Sequence, residues 1–325
     1  MYDMTFDIRI GSYRLRMVDS VTVKTSVEEL TDTAVITLPA SVYNVALNVE
    51  DKIRRGDKVS IAFGYDGNNR TEFEGYLNSI KTDGGKLTLE CEDALYLYKV
   101  SIADEEIKNI SVKELLERMN AAVANAHGVK IDLRCDYDFS YDKFVISNAT
   151  AFDVLKKVQE EAKPNVYFKE GTLHVHPQYS EVLGSVVYDF SKNVESEDLK
   201  YVRSEDRRLM VVIKGKGADG KTFQIEVGTT GGDKITLDRS GSGISDKASL
   251  KKMAEEELKR KNFTGYEGSL TGWLLPVCDA GYKVKIRDGE YEYKNGTYYV
   301  LAVETEFSQS GGKRKVKLGK KLENG

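Results

Sequence analysis

The chain has 325 residues, of which 40% are hydrophobic and 31% are charged, a composition typical of a globular protein of two or three domains. Its net charge of -4 argues against a dedicated nucleic-acid binder, and no apolar run approaches the ~18 residues of a membrane-spanning helix. Three cysteines, Cys91, Cys135 and Cys278, are too far apart and odd in number to indicate a disulfide framework or a zinc site. The N-terminus shows no secretory signal, so we expect assembly in a cytoplasm.

Residues 1–100 show the alternation of apolar and polar residues that is typical of half-buried strands. The clearest part is 55–93, where three alternating runs are separated by Asp66-Gly67 and by Asp83-Gly84-Gly85. These turn residues tolerate positive φ, so the segment predicts a three-stranded antiparallel meander. About six or seven strands over the first hundred residues indicate a first small β-barrel or sandwich domain.

Residues 101–197 change to an α+β pattern. Ser111 and Glu114 form a capping box in front of apolar residues at helical spacing. Thr150 predicts the start of a second helix, which Pro164 ends, and a strand hairpin follows. We therefore predict an inserted α+β domain.

The β pattern returns at residue 198, and we assign 198–239 and 263–325 to a second β-barrel domain. A charged helix predicted near 240–262 can complete the α+β domain. Gly281–Ile286 resembles Gly56–Ile61 at an offset of 225 residues, and the runs that follow keep the same order of strands and turns. The predicted fold class is therefore α+β, mainly β, with two related antiparallel β-barrel domains and an α+β domain inserted between them.

The sharpest motif is a P-loop-like match at Gly215, Gly220, Lys221 and Thr222. A phosphate-binding loop needs a helix that begins at the last glycine, because the helix N-terminus supplies the amides that hold phosphate. The residues after Thr222 alternate like a strand instead. We therefore interpret the motif as a hairpin turn and expect no cofactor.

Two histidines, His174 and His176, lie on one face of a predicted strand at a spacing that can bind zinc. No cysteine or carboxylate stands at a diagnostic offset, so an exposed strand face is the preferred interpretation and we predict no metal site. No G-x-S-x-G motif is present, and no catalytic residue is identified. We interpret the basic segment 313–321 as the solvated face of a strand followed by a tail, and we prefer this interpretation to a contact with nucleic acid or an acidic partner.

The order of these elements resembles the phage late-control protein D family, which includes the baseplate hub proteins of contractile tails and the hub region of type VI secretion spike proteins. The segments that carry the resemblance are Asp32–Pro39, Arg55–Ile61, Phe73–Leu77, Leu87–Asp93, the helix at Ser111, the helix and hairpin of Asn148–His176, Ala280–Ile286 and Gly296–Val300.

The resemblance implies a structural protein with no catalytic residues. It implies a homotrimer in which two β-barrel domains per chain form a ring with pseudo-sixfold symmetry, joining the tail tube to the spike or needle. It further implies a place in the virion tail baseplate after assembly in the bacterial host cytoplasm, without membrane insertion, and with DNA only as passing cargo. The modest negative charge suits a channel that DNA passes without sticking.

Two other classes of function stay open at this point. One is an enzyme, either a P-loop nucleotide hydrolase or a cell-wall glycosidase, since the 52 acidic residues ensure that carboxylate pairs occur somewhere. The other is a β module that binds a glycan or a peptide.

Overall fold

The computed structural model describes residues 3–39, 49–83, 85–217 and 219–322. Strands dominate these residues, and the predicted fold class, α+β and mainly β, is confirmed. In the described part of the chain, no helix has the length and apolar character needed to cross a membrane.

The N-terminal half-sheet comprises β1 to β7. The strands and the one short helix among them are β1 Met4–Ile10, β2 Tyr13–Arg14, β3 Ser20–Ser26, β4 Thr33–Leu38, α1 Val49–Lys52, β5 Lys58–Tyr65, β6 Asn68–Asp83 and β7 Lys86–Glu92. Their spatial order is β3-β4-β7-β6-β5-β1-β2. The predicted meander is confirmed as β5, β6 and β7, and its first turn has the expected positive φ at Asp66 and Gly67. The inward residues of these strands form one buried core.

A 3₁₀ turn, Ala94–Tyr98, leads into the α+β region. Its elements are β8 Ser101–Ile102, β9 Glu105–Ser111, α2 Val112–His127, β10 Asp132–Cys135, β11 Ser140–Ile146, β12 Ala149–Thr150, α3 Ala151–Ala162, β13 Asn165–Lys169 and β14 Thr172–His176. Both predicted helices are confirmed, since Ser111 and Thr150 each accept a hydrogen bond from the backbone N–H three residues on. The strands form small sheets of two or three members.

Most of the remaining strands belong to the large sheet, and three of them form a separate one. The remaining elements are β15 Gly184–Asp189, β16 Val194–Val202, β17 Leu209–Lys216, β18 Thr222–Gly228, β19 Asp233–Asp238, α4 Lys247–Lys261, β20 Gly265–Trp273, β21 Tyr282–Arg287, β22 Gly296–Ser308 and β23 Gly311–Leu322, with 3₁₀ turns at Ser204–Asp206 and Glu292–Lys294. Strands β15, β16 and β20 to β23 form the C-terminal half-sheet in the order β16-β20-β23-β22-β21-β15.

Two segments belong to other sheets or cores than the sequence predicted. Strands β17 to β19, expected in the second β domain, form their own three-stranded sheet, and their buried side chains share the core of α2, α3 and α4. Strand β15, expected in the α+β domain, pairs with β21 of the C-terminal half-sheet. Alternation identifies a strand but not the core that its apolar face joins, which explains both differences.

The two half-sheets repeat one topology. In chain order, β1, β3, β4, β5, β6 and β7 correspond to β15, β16, β20, β21, β22 and β23, and each set has the same spatial order. The backbone details also repeat, since Gly56 N donates to Leu77 O at 2.8 Å and Gly281 N donates to Val300 O at 2.9 Å, each beside a register shift. The outermost strands differ, because β1 runs antiparallel to β5 whereas β15 runs parallel to β21. Among the described strands, no pairing that would close either half into a barrel is detected.

Candidate assembly interface

The two half-sheets join by strand pairing, at a contact that we call the internal joint. It consists of Ala302–Ser308 of β22 paired antiparallel with Ser20–Ser26 of β3. Strand β22 can make this contact because only its first residues pair with β21, which leaves the same edge free farther along. The joint therefore turns thirteen strands into one continuous sheet.

Side chains on both faces reinforce the internal joint. On one face, Phe307 lies 5.2 Å from Phe63 and 5.7 Å from Phe6, ring centre to ring centre, inside the N-terminal core. On the other face, Lys24 Nζ lies 2.9 Å from the carboxylate of Glu304. Aromatic pairs and opposite charges across a strand pair are both stabilising, so the joint is a packed interface rather than a flexible link.

A buried ion pair crosses between the half-sheets beside this joint. The Arg314 guanidinium of β23 donates to both carboxylate oxygens of Glu72 in β6, at 2.9 and 3.0 Å, and the two side chains are only 3% and 10% exposed. It also donates to the carbonyl oxygens of Leu274 and Cys278 and to Thr305 Oγ1. Burial alone would lower the pKa of Arg314, but the hydrogen bonds and charge of Glu72 outweigh burial and raise the pKa.

Two carboxylates, the buried Asp93 and the half-buried Asp32, lie near the joint where β3 and β7 end and β4 begins. Asp93 accepts from Leu95 N at 2.9 Å and from Asp32 N at 3.1 Å, and Asp32 accepts from Ser26 N at 2.9 Å. Burial raises the pKa of Asp93 to about 7. Burial, together with the nearby charge of Asp93, also raises the pKa of Asp32. Backbone N–H groups donate to both carboxylate oxygens of Asp93 and to one of Asp32, so the two side chains tie the end of β3 to the start of β4 and the end of β7.

Two strand edges that correspond to the edges of the internal joint have no partner among the described residues. In β6, residues from Ser79 to Asp83 pair with β7 on one side, and no described strand pairs with them on the other. In β16, one edge pairs with β20, and the opposite edge has no partner strand in the described chain. Most residues of β16 are exposed.

The P-loop-like residues lie in a β-hairpin. Gly215 is in β17, Thr222 begins β18, and Lys216 pairs with Thr222 across the ladder. Ala218, inside the turn, lies outside the described residues. No helix begins at Gly220, so the amide cradle that a phosphate-binding loop requires is missing from the described turn.

The two histidines share a face of β14 but not an exposed one. His174 stacks on Tyr167 at 4.7 Å between ring centres, and His176, only 2% exposed, packs edge-on against the same tyrosine. Burial lowers the pKa of His174. Across the described residues, no group of three or more histidine, cysteine or acidic side chains is arranged to hold a metal ion.

The basic segment 313–321 is divided by strand alternation. Lys313, Lys315 and Lys317 of β23 are exposed as predicted, whereas Arg314 points inward. Sequence reasoning missed this buried arginine and the internal joint as a whole. A signal for the arginine existed, because Arg314 shares the inward phase of Val316 and Leu318.

Comparison of the fold with solved structures finds phage tail proteins. A tail protein from Neisseria meningitidis is 14% identical, with a TM-score of 0.68 over 98% of this chain and 97% of that chain. A prophage tail protein from Shewanella oneidensis is 12% identical, with a TM-score of 0.67 over 98% of each chain. An E. coli component of the type VI secretion system is 10% identical, with a TM-score of 0.62 over 98% of this chain and 77% of that chain.

The sequence alone gives no comparable match. No protein-family model and no curated protein matches the chain. At these identities the likeness concerns the fold, and it extends over nearly the whole chain. The fold is therefore that of phage tail proteins and of a type VI secretion component, in agreement with the family resemblance that the sequence displays.

Proposed function

We propose that this protein is the structural hub of a phage-like contractile-tail baseplate, with no catalytic role. Three copies form a ring that joins the tail tube to the spike or needle protein, and DNA or an effector passes through the ring. The virion tail is its final location, after assembly in the bacterial host cytoplasm.

The repeated topology of the two half-sheets carries this proposal. Each chain contains two equivalent units joined head to tail by β22 and β3, and it keeps one open edge of each kind. A heterologous contact of this type, repeated between copies, builds a ring when the rotation closes. Three chains with two units each supply six similar positions, which suits a part that joins a sixfold tube to a threefold spike.

The rival functions have less support from the described residues. The P-loop-like residues form a hairpin, so the described residues do not provide the phosphate-binding loop that a nucleotide hydrolase needs. The acids with raised pKa near the joint, Asp32 and Asp93, use their oxygens as acceptors for backbone N–H groups. A glycosidase needs two carboxyl groups free to face a sugar.

Mass in solution tests the proposal. We expect a species of three times 36.4 kDa by light scattering, alone or after addition of the purified spike protein encoded with it. Electron microscopy of that species should show a ring with an open centre. A chain that stays monomeric with both the spike and the tube protein present would contradict the proposal.

A further inference from the structure

The internal joint serves as a template for the contact between copies, an inference that rests on the proposed ring. The template consists of the free part of β22 and the outer edge of β3. Their counterparts are the free part of β6 and the outer edge of β16, and no described strand pairs with either of them. An unpaired strand edge is a ready site for pairing with another chain.

Matching bulges fix the correspondence between β6 and β22. Ser79 pairs with Glu90 of β7 just after a register shift, and Ala302 pairs with Lys317 of β23 just after the equivalent shift. Ser79 therefore corresponds to Ala302. Later residues of β6 correspond to residues of β22 at the same offset of 223 (302 minus 79).

Strands β4 and β20 extend the correspondence to β3 and β16, which form the other edge of the contact. Val35 of β4 pairs with Thr22 of β3, and its counterpart Ser269 of β20 pairs with Asp198 of β16. Val35 and Ser269 are counterparts because they face equivalent residues of β7 and β23. Residues of β16 therefore correspond to residues of β3 at an offset of 176 (198 minus 22).

Charge decides the register of the new contact. In the internal joint Glu304 lies opposite Lys24, and direct transfer of that register would set Lys81 opposite Lys200. Like charges directly opposite destabilise a strand pair. A displacement of two residues keeps every side chain on its face and sets Lys81 opposite Asp198. The opposite displacement would move Ile80 beyond Val202, where β16 ends.

The two-residue displacement also matches the apolar face. It sets Ile80 opposite Leu199, each only partly buried in the single chain and each packed against the core of its own half-sheet. Pairing them would bury the parts of both side chains that are exposed in the single chain, as Phe307 covers Phe63 at the internal joint.

We propose that Ser79–Asp83 of one copy pairs antiparallel with β16 of the next copy, displaced by two residues from the internal register. In this arrangement Lys81 faces Asp198, and Ile80 faces Leu199. The partner is a second copy of this chain, and the same contact repeated around the ring leaves no edge of either kind open.

Disulfide trapping tests both the pairing and its register. The variant Thr82→Cys with Glu197→Cys places the two thiols directly opposite in the proposed register, and both positions are exposed. The matched variant Thr82→Cys with Leu199→Cys is opposite only in the direct register. Directly opposite Cα atoms lie within the range that a disulfide spans, whereas pairs displaced by two residues lie about 7–8 Å apart, mostly beyond it. Single-cysteine variants control for Cys91, Cys135 and Cys278.

The expected result after mild oxidation is a covalent trimer with the first variant and none with the second. A covalent trimer with the second variant alone would overturn the proposed register. A ring of trimeric mass that neither variant links would overturn the strand pairing while leaving the proposed hub intact. A chain that neither links nor assembles with its spike and tube proteins would contradict the hub itself.

Discussion

The Arg314–Glu72 pair gives the sharpest test of how the two half-sheets are held together. The variant Arg314→Met keeps most of the apolar stem but leaves Glu72, which is 10% exposed, without its partner. It also leaves the acceptors Leu274 O, Cys278 O and Thr305 Oγ1 without that donor. Breaking a buried ion pair from one side costs about 3–5 kcal/mol. We expect the free energy of unfolding to fall by an amount of that order.

The control is the exposed ion pair Lys317–Glu28 on the same strand. Its side chains are 56% and 31% exposed, so Lys317→Met should change stability by only ~0–1 kcal/mol. The double variant Arg314→Met with Glu72→Met should recover much of the loss, because replacing a buried ion pair with apolar side chains is often neutral. Urea denaturation of the four proteins measures these differences. Equal effects of Arg314→Met and Lys317→Met would refute the view that this buried pair fixes the joint.

Three further predictions concern stability and binding. Because burial raises the pKa of Asp93 to about 7 and raises that of Asp32, the folded state binds protons more tightly than the unfolded state, and the free energy of unfolding falls as pH rises through the interval from about 4 to about 7. Asp32→Asn should make this fall shallower in denaturation measured near pH 5 and near pH 8, and an unchanged slope would contradict the assignment. Gly75→Ala places a Cβ 2.1 Å from Glu92 O and should cost about 1–3 kcal/mol or more, whereas Gly289→Ala, with no atom within 4 Å, should be neutral in thermal unfolding. Calorimetry should detect no saturable ATP binding, and binding that Lys221→Ala abolishes would revive the P-loop interpretation.

Local signals in the sequence predict the elements well. The capping residues Ser111 and Thr150 mark the starts of two of the predicted helices, and the turn at Asp66-Gly67 fixes the first hairpin. Each of these features depends on residues only a few positions apart in the chain, so a short stretch of sequence is enough to predict it. The repeat between Gly56–Ile61 and Gly281–Ile286 is of the same kind, because equivalent strands need equivalent turns.

The sequence does not predict which distant elements pack against each other. Strand β17 has the same apolar character whether it packs on a helix or on a sheet, and the structure places it against α4. The burial of Arg314 depends on Glu72, 242 positions away in the chain, and no local pattern predicts that pairing. The joint between β22 and β3 likewise needs the order of strands in the sheet before it can be seen.

The two kinds of joint differ in strength, and the difference gives an order of assembly. At the internal joint Arg314 reaches Glu72 of the other half-sheet, whereas its counterpart at the offset of 227 that relates β7 to β23 is Leu87, a buried apolar residue that can make no ion pair. The contact proposed between copies therefore lacks the buried ion pair and relies on backbone pairing, Ile80 with Leu199 and one exposed charge pair. Exposed charge pairs contribute little, and a single short strand pair is marginal in water. The internal joint should consequently form as each chain folds, while the contact between copies closes only when several weak contacts act together in the ring or on a tail partner.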